Sequence, residues 1–408
     1  MQNHIVLVPG FGGFDALGSL RYYHGVTQVL GPSPLVLHYF PNLPTASVQT
    51  RARRLRLWLG DLQERRVIGG KDALHLVGHS TGGLDIRQLL IDYRRREGTQ
   101  APGMDVLERI RTVQFISTPQ RGTNLARRVR GLGGASRVLT RWMPRMLYET
   151  TRALRTGGVS FAGRCLQRMW PPDEGSPDWL DAAIQTMVGF GARRENLERA
   201  LARASYFETL RWLMHVSTDV AAISDLDPVR APGAPESPAH RTSPDEERDF
   251  LRAKDIHYRS IVTVAKRPAE DARGLFKFVY GLTSRGPTPE LGQARSIPWL
   301  GESKQGTRML TPSDNDGIVN SVSMVWPDAE SSFLVEADHA DVIGHFRYSQ
   351  PPRQELDAPQ RYYQYDLLSS GSNFGQREFE ALWGEIASFT GSWRYPRDLA
   401  RPEEAWVM

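Results

Sequence analysis

The segment of this sequence best suited to chemistry is Gly78-His79-Ser80-Thr81-Gly82. It follows an apolar run, Leu74 to Val77, and precedes a helical pattern, Leu84 to Arg96, in which Leu84, Leu89 and Leu90 are available for burial. A serine between glycines at a strand-to-helix junction has the G-x-S-x-G form of a nucleophile elbow. So sharp a turn forces unusual backbone angles on the serine, and its neighbours must be nearly free of side chains. The serine oxygen then projects above the carboxyl ends of the strands. The following helix aims its first N–H groups at the same point. A purely structural turn is the alternative, and the flanking strand and helix argue against it.

A serine nucleophile needs a base. In this architecture the chain order is serine, acid, histidine, so the candidates are His215, His240, His257, His339 and His345. His215 lies in a helical stretch and His240 in a polar loop. His339 follows the apolar run Phe333-Leu334-Val335, and a strand end is where a catalytic loop residue belongs. His345 is the second candidate. The acid is expected in the turn-rich segment Thr311 to Val319, with Asp316 preferred to Asp314. Asp-Gly is also common in ordinary turns. An aspartate there could orient the imidazole and stabilise the imidazolium formed on proton transfer. Two backbone donors are needed for an oxyanion. The Thr81 N–H is one candidate and the Phe11 N–H, in Pro9-Gly10-Phe11-Gly12-Gly13, is the other. That glycine-rich loop lacks the Gly-Lys-Ser/Thr ending of a phosphate loop.

The elements that must position these groups can be read from pattern. Ile5 to Val8, Pro34 to Phe40, Leu74 to Val77 and Val113 to Ile116 read as strands. A helix is expected after the second, with Thr45 as a cap and Ala52, Leu55, Leu59 and Leu62 on one face. Strand character returns at Tyr258 to Val264 and Ser332 to Val335, and a last helix is expected near Glu378 to Phe389. Strands alternating with helices imply a mostly parallel central sheet covered on both faces, an α/β fold. Residues 127–215 show helical patterning with many arginines, and residues 228–247 read as an exposed loop. The expected organisation is one α/β core formed by residues 1–126 and 251–408, interrupted by a helical cap and loop over residues 127–250.

Composition narrows the classes further. The chain has 408 residues, 40% of them hydrophobic, which is enough for a substantial core rather than a disordered chain. One cysteine, Cys165, excludes an intramolecular disulfide and a cysteine zinc site. The net charge of +5 allows an anionic partner. No run of 18 apolar residues appears. Met1-Gln2-Asn3-His4 leads directly into an apolar strand without a signal-peptide pattern, so the expected location is cytoplasmic, or secreted if a leader has been removed.

Several segments together resemble bacterial triacylglycerol lipases and esterases of the α/β-hydrolase superfamily. Residues 6–15 (VLVPGFGGFD), with Tyr22-Tyr23-His24-Gly25, resemble their N-terminal signature, and residues 78–87 (GHSTGGLDIR) their elbow and its helix. Residues 117–126 (STPQRGTNLA), 315–319 (NDGIV) and 338–344 (DHADVIG) are similar to three further family segments, in family order. The resemblance implies an α/β-hydrolase fold, with Ser80 as nucleophile, Asp316 as orienting acid, His339 as base, and Phe11 and Thr81 as oxyanion donors. Pro9 stands where the family usually has histidine. No cofactor is required for this chemistry. The resemblance does bring in a structural Ca²⁺ near the histidine loop; Asp341 matches one of its two aspartates, and none upstream of Asp316 matches the other.

The expected activity is ester hydrolysis on lipid-like acyl esters. A polyester hydrolase or a phospholipase would use the same residues, and a non-catalytic lipid-binding protein is the contrasting class. Arg127 to Trp170 carries ten arginines and one acid, Glu149, with Trp142, Met143 and Met146 near helical spacing and Pro144 at a helix start or kink. That composition suits a lid contacting a lipid interface or peripheral membrane as well as a solvated cap. Nothing in the sequence resembles a nucleic-acid-binding module.

Overall fold

The computed structural model describes residues 2–13, 16–17, 20–95, 102–131, 221–229, 243–266, 274–301, 305–347, 366–368 and 370–391. Its centre is a six-stranded sheet built from β1 (Asn3–Val8), β4 (Leu35–Tyr39), β5 (Ala73–His79), β6 (Ile110–Ile116), β7 (His257–Val264) and β10 (Ser332–Glu336). The spatial order is β10-β7-β6-β5-β1-β4, and every neighbouring pair is parallel. Two short antiparallel pairs lie outside it: β2 (Ala16–Leu17) with β3 (Leu20–Arg21), and β8 (Arg295–Pro298) with β9 (Thr307–Leu310).

The inner strands β1, β5, β6 and β7 are buried on both faces, which explains their near-continuous apolar runs, while the edge strands β4 and β10 are only partly buried. Alternate residues feed opposite sides. Ile5, Leu7, Val77, Ile116 and Ile261 pack with Phe379, Trp383 and Ile386 on one face. Val6, Val8, Leu74, Leu76, Val113 and Phe115 pack with Leu55, Leu59, Ile86 and Leu89 on the other. The described helices are α1 (Val26–Leu30), α2 (Val48–Glu64), α3 (Thr81–Arg95), α4 (Asn124–Gly131), α5 (Ala221–Asp225), α6 (Pro244–Ala253), α7 (Gly274–Ser284) and α8 (Gln376–Ser388). Helices α1 and α8 cover the first face, and α2 and α3 the second.

Two expectations are corrected. The cap of α2 is Ser47, whose hydroxyl accepts the Thr50 N–H at 3.3 Å; Thr45 lies too far upstream and is buried. The exposed loop expected to run to residue 247 ends earlier. Ser243 caps α6, with Pro244 in its first turn and Asp245, Glu246 and Glu247 facing the positive end of the helix. Glu247 then reaches into the core, where it accepts Arg87 Nε at 2.8 Å and Trp326 Nε1 at 3.0 Å. The expected cap lies largely outside the described residues, as do Trp142, Met143, Pro144, Met146, Glu149 and Cys165.

Candidate active site

All six parallel strands point their carboxyl ends toward one edge, where loops can carry chemistry. Strand β5 sits between β1 and β6 and ends at His79. Ser80 follows with φ of 54°, in the left-handed region that costs a side-chain-bearing residue energy, and α3 begins at the next residue. The Ser80 N–H donates to Ile116 O at 2.9 Å and its carbonyl accepts Gly83 N–H at 3.1 Å, which hold the turn. The neighbouring glycines are required by crowding. A Cβ on Gly78 would sit 2.6 Å from Gly83 Cα, and one on Gly82 would run into the Val8 carbonyl oxygen.

Of the candidate bases, the structure brings His339 to this edge. Its Nδ1 meets Asp316 Oδ2 at 2.7 Å, and its main-chain N–H donates to Asp316 O at 3.0 Å. Its ring lies 4.7 Å from that of His79, the residue before Ser80. His345 instead bonds through Nε2 to the Arg21 and Tyr22 carbonyls, each at 3.1 Å. His257 is exposed at the start of β7, while His215 and His240 lie outside the described residues.

Asp316 is fully buried. Besides His339 it accepts Thr263 Oγ1 at 2.7 Å and the Ile318 and Val319 N–H groups at 3.0 and 2.8 Å. Four donors thus converge on this one carboxyl group. Asp314 serves a turn, accepting the Thr311 N–H and hydroxyl at 2.7 Å and Arg308 Nη2 at 3.1 Å. Thr263 had no signal in the sequence beyond its place in a strand.

The two expected oxyanion donors are also at this edge. Thr81 opens α3, so its N–H has no partner within the helix. The Gly10 carbonyl accepts Gly13 N–H at 2.9 Å and Gly12 N–H donates to Pro44 O at 2.7 Å. This fixes the loop around Phe11. Among the described residues, neither the Phe11 nor the Thr81 N–H is taken by a hydrogen bond.

A buried ion pair braces the floor. Arg51 Nη2 donates to Asp85 Oδ1 at 2.8 Å and to Thr81 O at 3.0 Å, while Asn42 Nδ2 bridges Asp85 Oδ2 and Pro9 O. Burial pushes the Asp85 carboxyl up to about 6, against the opposing pull of Arg51.

Asp341, the residue the resemblance links to calcium, is held in a hydrogen-bonded loop. Asp341 Oδ2 accepts the Asp338 N–H at 2.8 Å and the Ser372 hydroxyl at 2.7 Å. Asp338 accepts the Ala340 and Asp341 N–H groups and the Ser370 hydroxyl. Among the described residues no three acidic, histidine or cysteine side chains group around a metal position. Burial, with the charge of Asp366, raises Asp338 to about 7, and burial with the charge of Asp338 raises Asp341 well above the ordinary carboxylate range. Among the described residues no helix is long and apolar enough to cross a membrane.

No protein-family profile matches the chain. A triacylglycerol lipase of Pseudomonas fragi is 31% identical over 156 residues, covering 38% of this chain and 45% of that protein. A triacylglycerol lipase of Vibrio cholerae is 34% identical over 83 residues, 20% of this chain and 26% of that one. The matches thus span less than half the length of these curated relatives. Among solved structures, the Staphylococcus hyicus lipase aligns with a TM-score of 0.47 at 13% identity over 95% of each chain. Lipase 1 from Pelosinus fermentans aligns with a TM-score of 0.46 at 16% identity, over 97% of this chain and 100% of that one. The resemblance to bacterial lipases is therefore shared by curated relatives. The parallel sheet and its serine elbow at the carboxyl edge are those of an α/β-hydrolase core.

Proposed function

We propose that this chain is a serine carboxylic-ester hydrolase acting through an acyl-enzyme. The observation that carries the reading is the 2.7 Å His339–Asp316 pair, beside an elbow serine at φ 54° with two unclaimed N–H groups. Asp316 holds the imidazole by Nδ1, which leaves Nε2 as the basic nitrogen. Ser80 Oγ attacks the ester carbonyl as His339 Nε2 takes its proton. The carbonyl oxygen becomes an oxyanion and accepts the Phe11 and Thr81 N–H groups. Collapse breaks the bond to the leaving alkoxide, which takes the proton from His339. Water then attacks the acyl-enzyme, giving its proton to His339, and the acid departs as Ser80 regains the proton.

Lipid-like acyl esters are the substrate class, because the curated relatives are named triacylglycerol lipases. The test is hydrolysis of p-nitrophenyl esters from acetate to palmitate by wild type and Ser80→Ala. Turnover rising with chain length and lost in the variant supports the reading. Activity retained by Ser80→Ala overturns it. Ligand binding without turnover, unaffected by Ser80→Ala, would indicate a binding protein.

A further inference from the structure

Three separate parts of the site meet at the side chains of Tyr22 and His79. The Tyr22 hydroxyl accepts the Gly10 N–H at 2.8 Å and lies 2.7 Å from His79 Nδ1. His79 Nε2 lies 3.0 Å from the main-chain oxygen of His339. Both side chains are buried, with Tyr22 3% and His79 1% exposed.

The proton positions follow from the two ends of this chain. A carbonyl only accepts and a backbone N–H only donates. His79 Nε2 must therefore carry the hydrogen given to His339 O. Burial, with the nearby charge of His339, holds the His79 imidazole well below its ordinary range, so it is neutral and its Nδ1 is bare. Tyr22, already accepting from Gly10, turns its own hydrogen to Nδ1. Each group is satisfied once, and only one arrangement does so.

Resting on the ester-hydrolase reading, we infer that Tyr22 and His79 are positioning residues for that reaction. Gly10 precedes the expected oxyanion donor Phe11, His79 precedes the nucleophile, and His339 is the base. One relay of three hydrogen bonds thus sets the oxyanion loop, the elbow and the histidine loop relative to one another. Contact is already close here, since a Cβ on Gly10 would lie 2.6 Å from Ser80 Cβ and 2.8 Å from the Tyr22 oxygen. Neither residue touches the reacting atoms in this role. Loss of the relay leaves the binding surface in place but loosens the reacting geometry. An error of an ångström there costs about 100-fold.

The experiment is p-nitrophenyl butyrate kinetics for wild type, Tyr22→Phe, His79→Leu, His79→Gln and the Tyr22→Phe/His79→Leu double variant. Fluorophosphonate labelling of Ser80 and near-UV circular dichroism accompany each. Tyr22→Phe and His79→Leu are expected to lower kcat about 10- to 100-fold with KM changed less than about threefold. His79→Gln should recover most of the loss, because its amide offers one acceptor to Tyr22 and one donor to His339 O. The double variant should be no worse than His79→Leu, as expected for coupled neighbours. Wild-type kcat in Tyr22→Phe, or a His79→Gln variant as impaired as His79→Leu, would overturn the relay. Where Tyr22→Phe does not fold, the His79→Leu and His79→Gln pair decides. A wild type that neither turns over nor labels would sink the hydrolase reading itself; turnover indifferent to all four changes would sink only the relay.

Discussion

Both edges of the parallel sheet carry a histidine paired with an aspartate, and only one of them has the makings of a reaction. At the amino edge, His4 Nε2 meets Asp72 Oδ2 at 3.3 Å and its Nδ1 meets His38 Nε2 at 2.9 Å. At the carboxyl edge, His339 meets Asp316 at 2.7 Å. The pair by itself therefore marks nothing. At the carboxyl edge a serine in a left-handed turn and two unclaimed N–H groups stand nearby, and the carboxylate is enclosed by four donors. At the amino edge Asp72 is partly exposed, and the N–H groups of Gln2 and Gly69 hold its carboxyl below the ordinary range. In the proposed mechanism the His339–Asp316 pair orients a base, whereas the His4–Asp72 pair joins the first residues of β1 to the turn before β5.

The sharpest way to break this contrast is Asp316→Asn, which is expected to lower kcat about 10⁴-fold with the fold retained, because the amide holds the wrong imidazole tautomer. Steady-state ester hydrolysis reads it. Thr263→Val comes next. It removes one donor from the same carboxylate, so kcat should fall about tenfold and stability by about 1–2 kcal/mol, measured by kinetics and urea unfolding. At the other edge, His4→Leu should cost about 1 kcal/mol and leave kcat within about twofold of wild type. A large loss of activity there would erase the distinction between the edges.

The smallest expected effect concerns His75, also at the amino edge and bonded to Thr112 Oγ1 and Asn3 Oδ1. Burial lowers it to about 4. A histidine lowered on folding contributes stability that is full above its unfolded value near 6.5 and lost as pH falls toward 4. A glutamine at this position does not titrate. The melting temperature of His75→Gln relative to wild type should therefore rise as pH drops from 7.5 to 5, and a pH-independent difference would contradict the assignment.

The elbow was legible because a strand, two glycines and a helix are all local signals. His339 and Asp316 were legible because each follows a strand or sits in a turn in the right chain order. The relay was not, because Tyr22 and His79 lie 57 residues apart and only the pairing of β1 with β5 brings their loops together. Thr263 read as an ordinary strand residue, since nothing local to β7 reveals Asp316 beside it. Helix α6 was hidden for another reason. Ser243, Pro244 and three acids are loop-forming residues in composition and helix-starting residues in order. Ser47 capped α2 in place of Thr45 because a cap must stand immediately before the first helical residue.

The most direct test of the central claim is covalent labelling with a fluorophosphonate, read by intact mass and peptide mapping. The account predicts one equivalent bound per chain, on Ser80 alone, with labelling absent in Ser80→Ala and slowed in Asp316→Asn in step with its loss of turnover. Ester hydrolysis that persists without modification of Ser80, or a label on another residue that removes the activity, would contradict it.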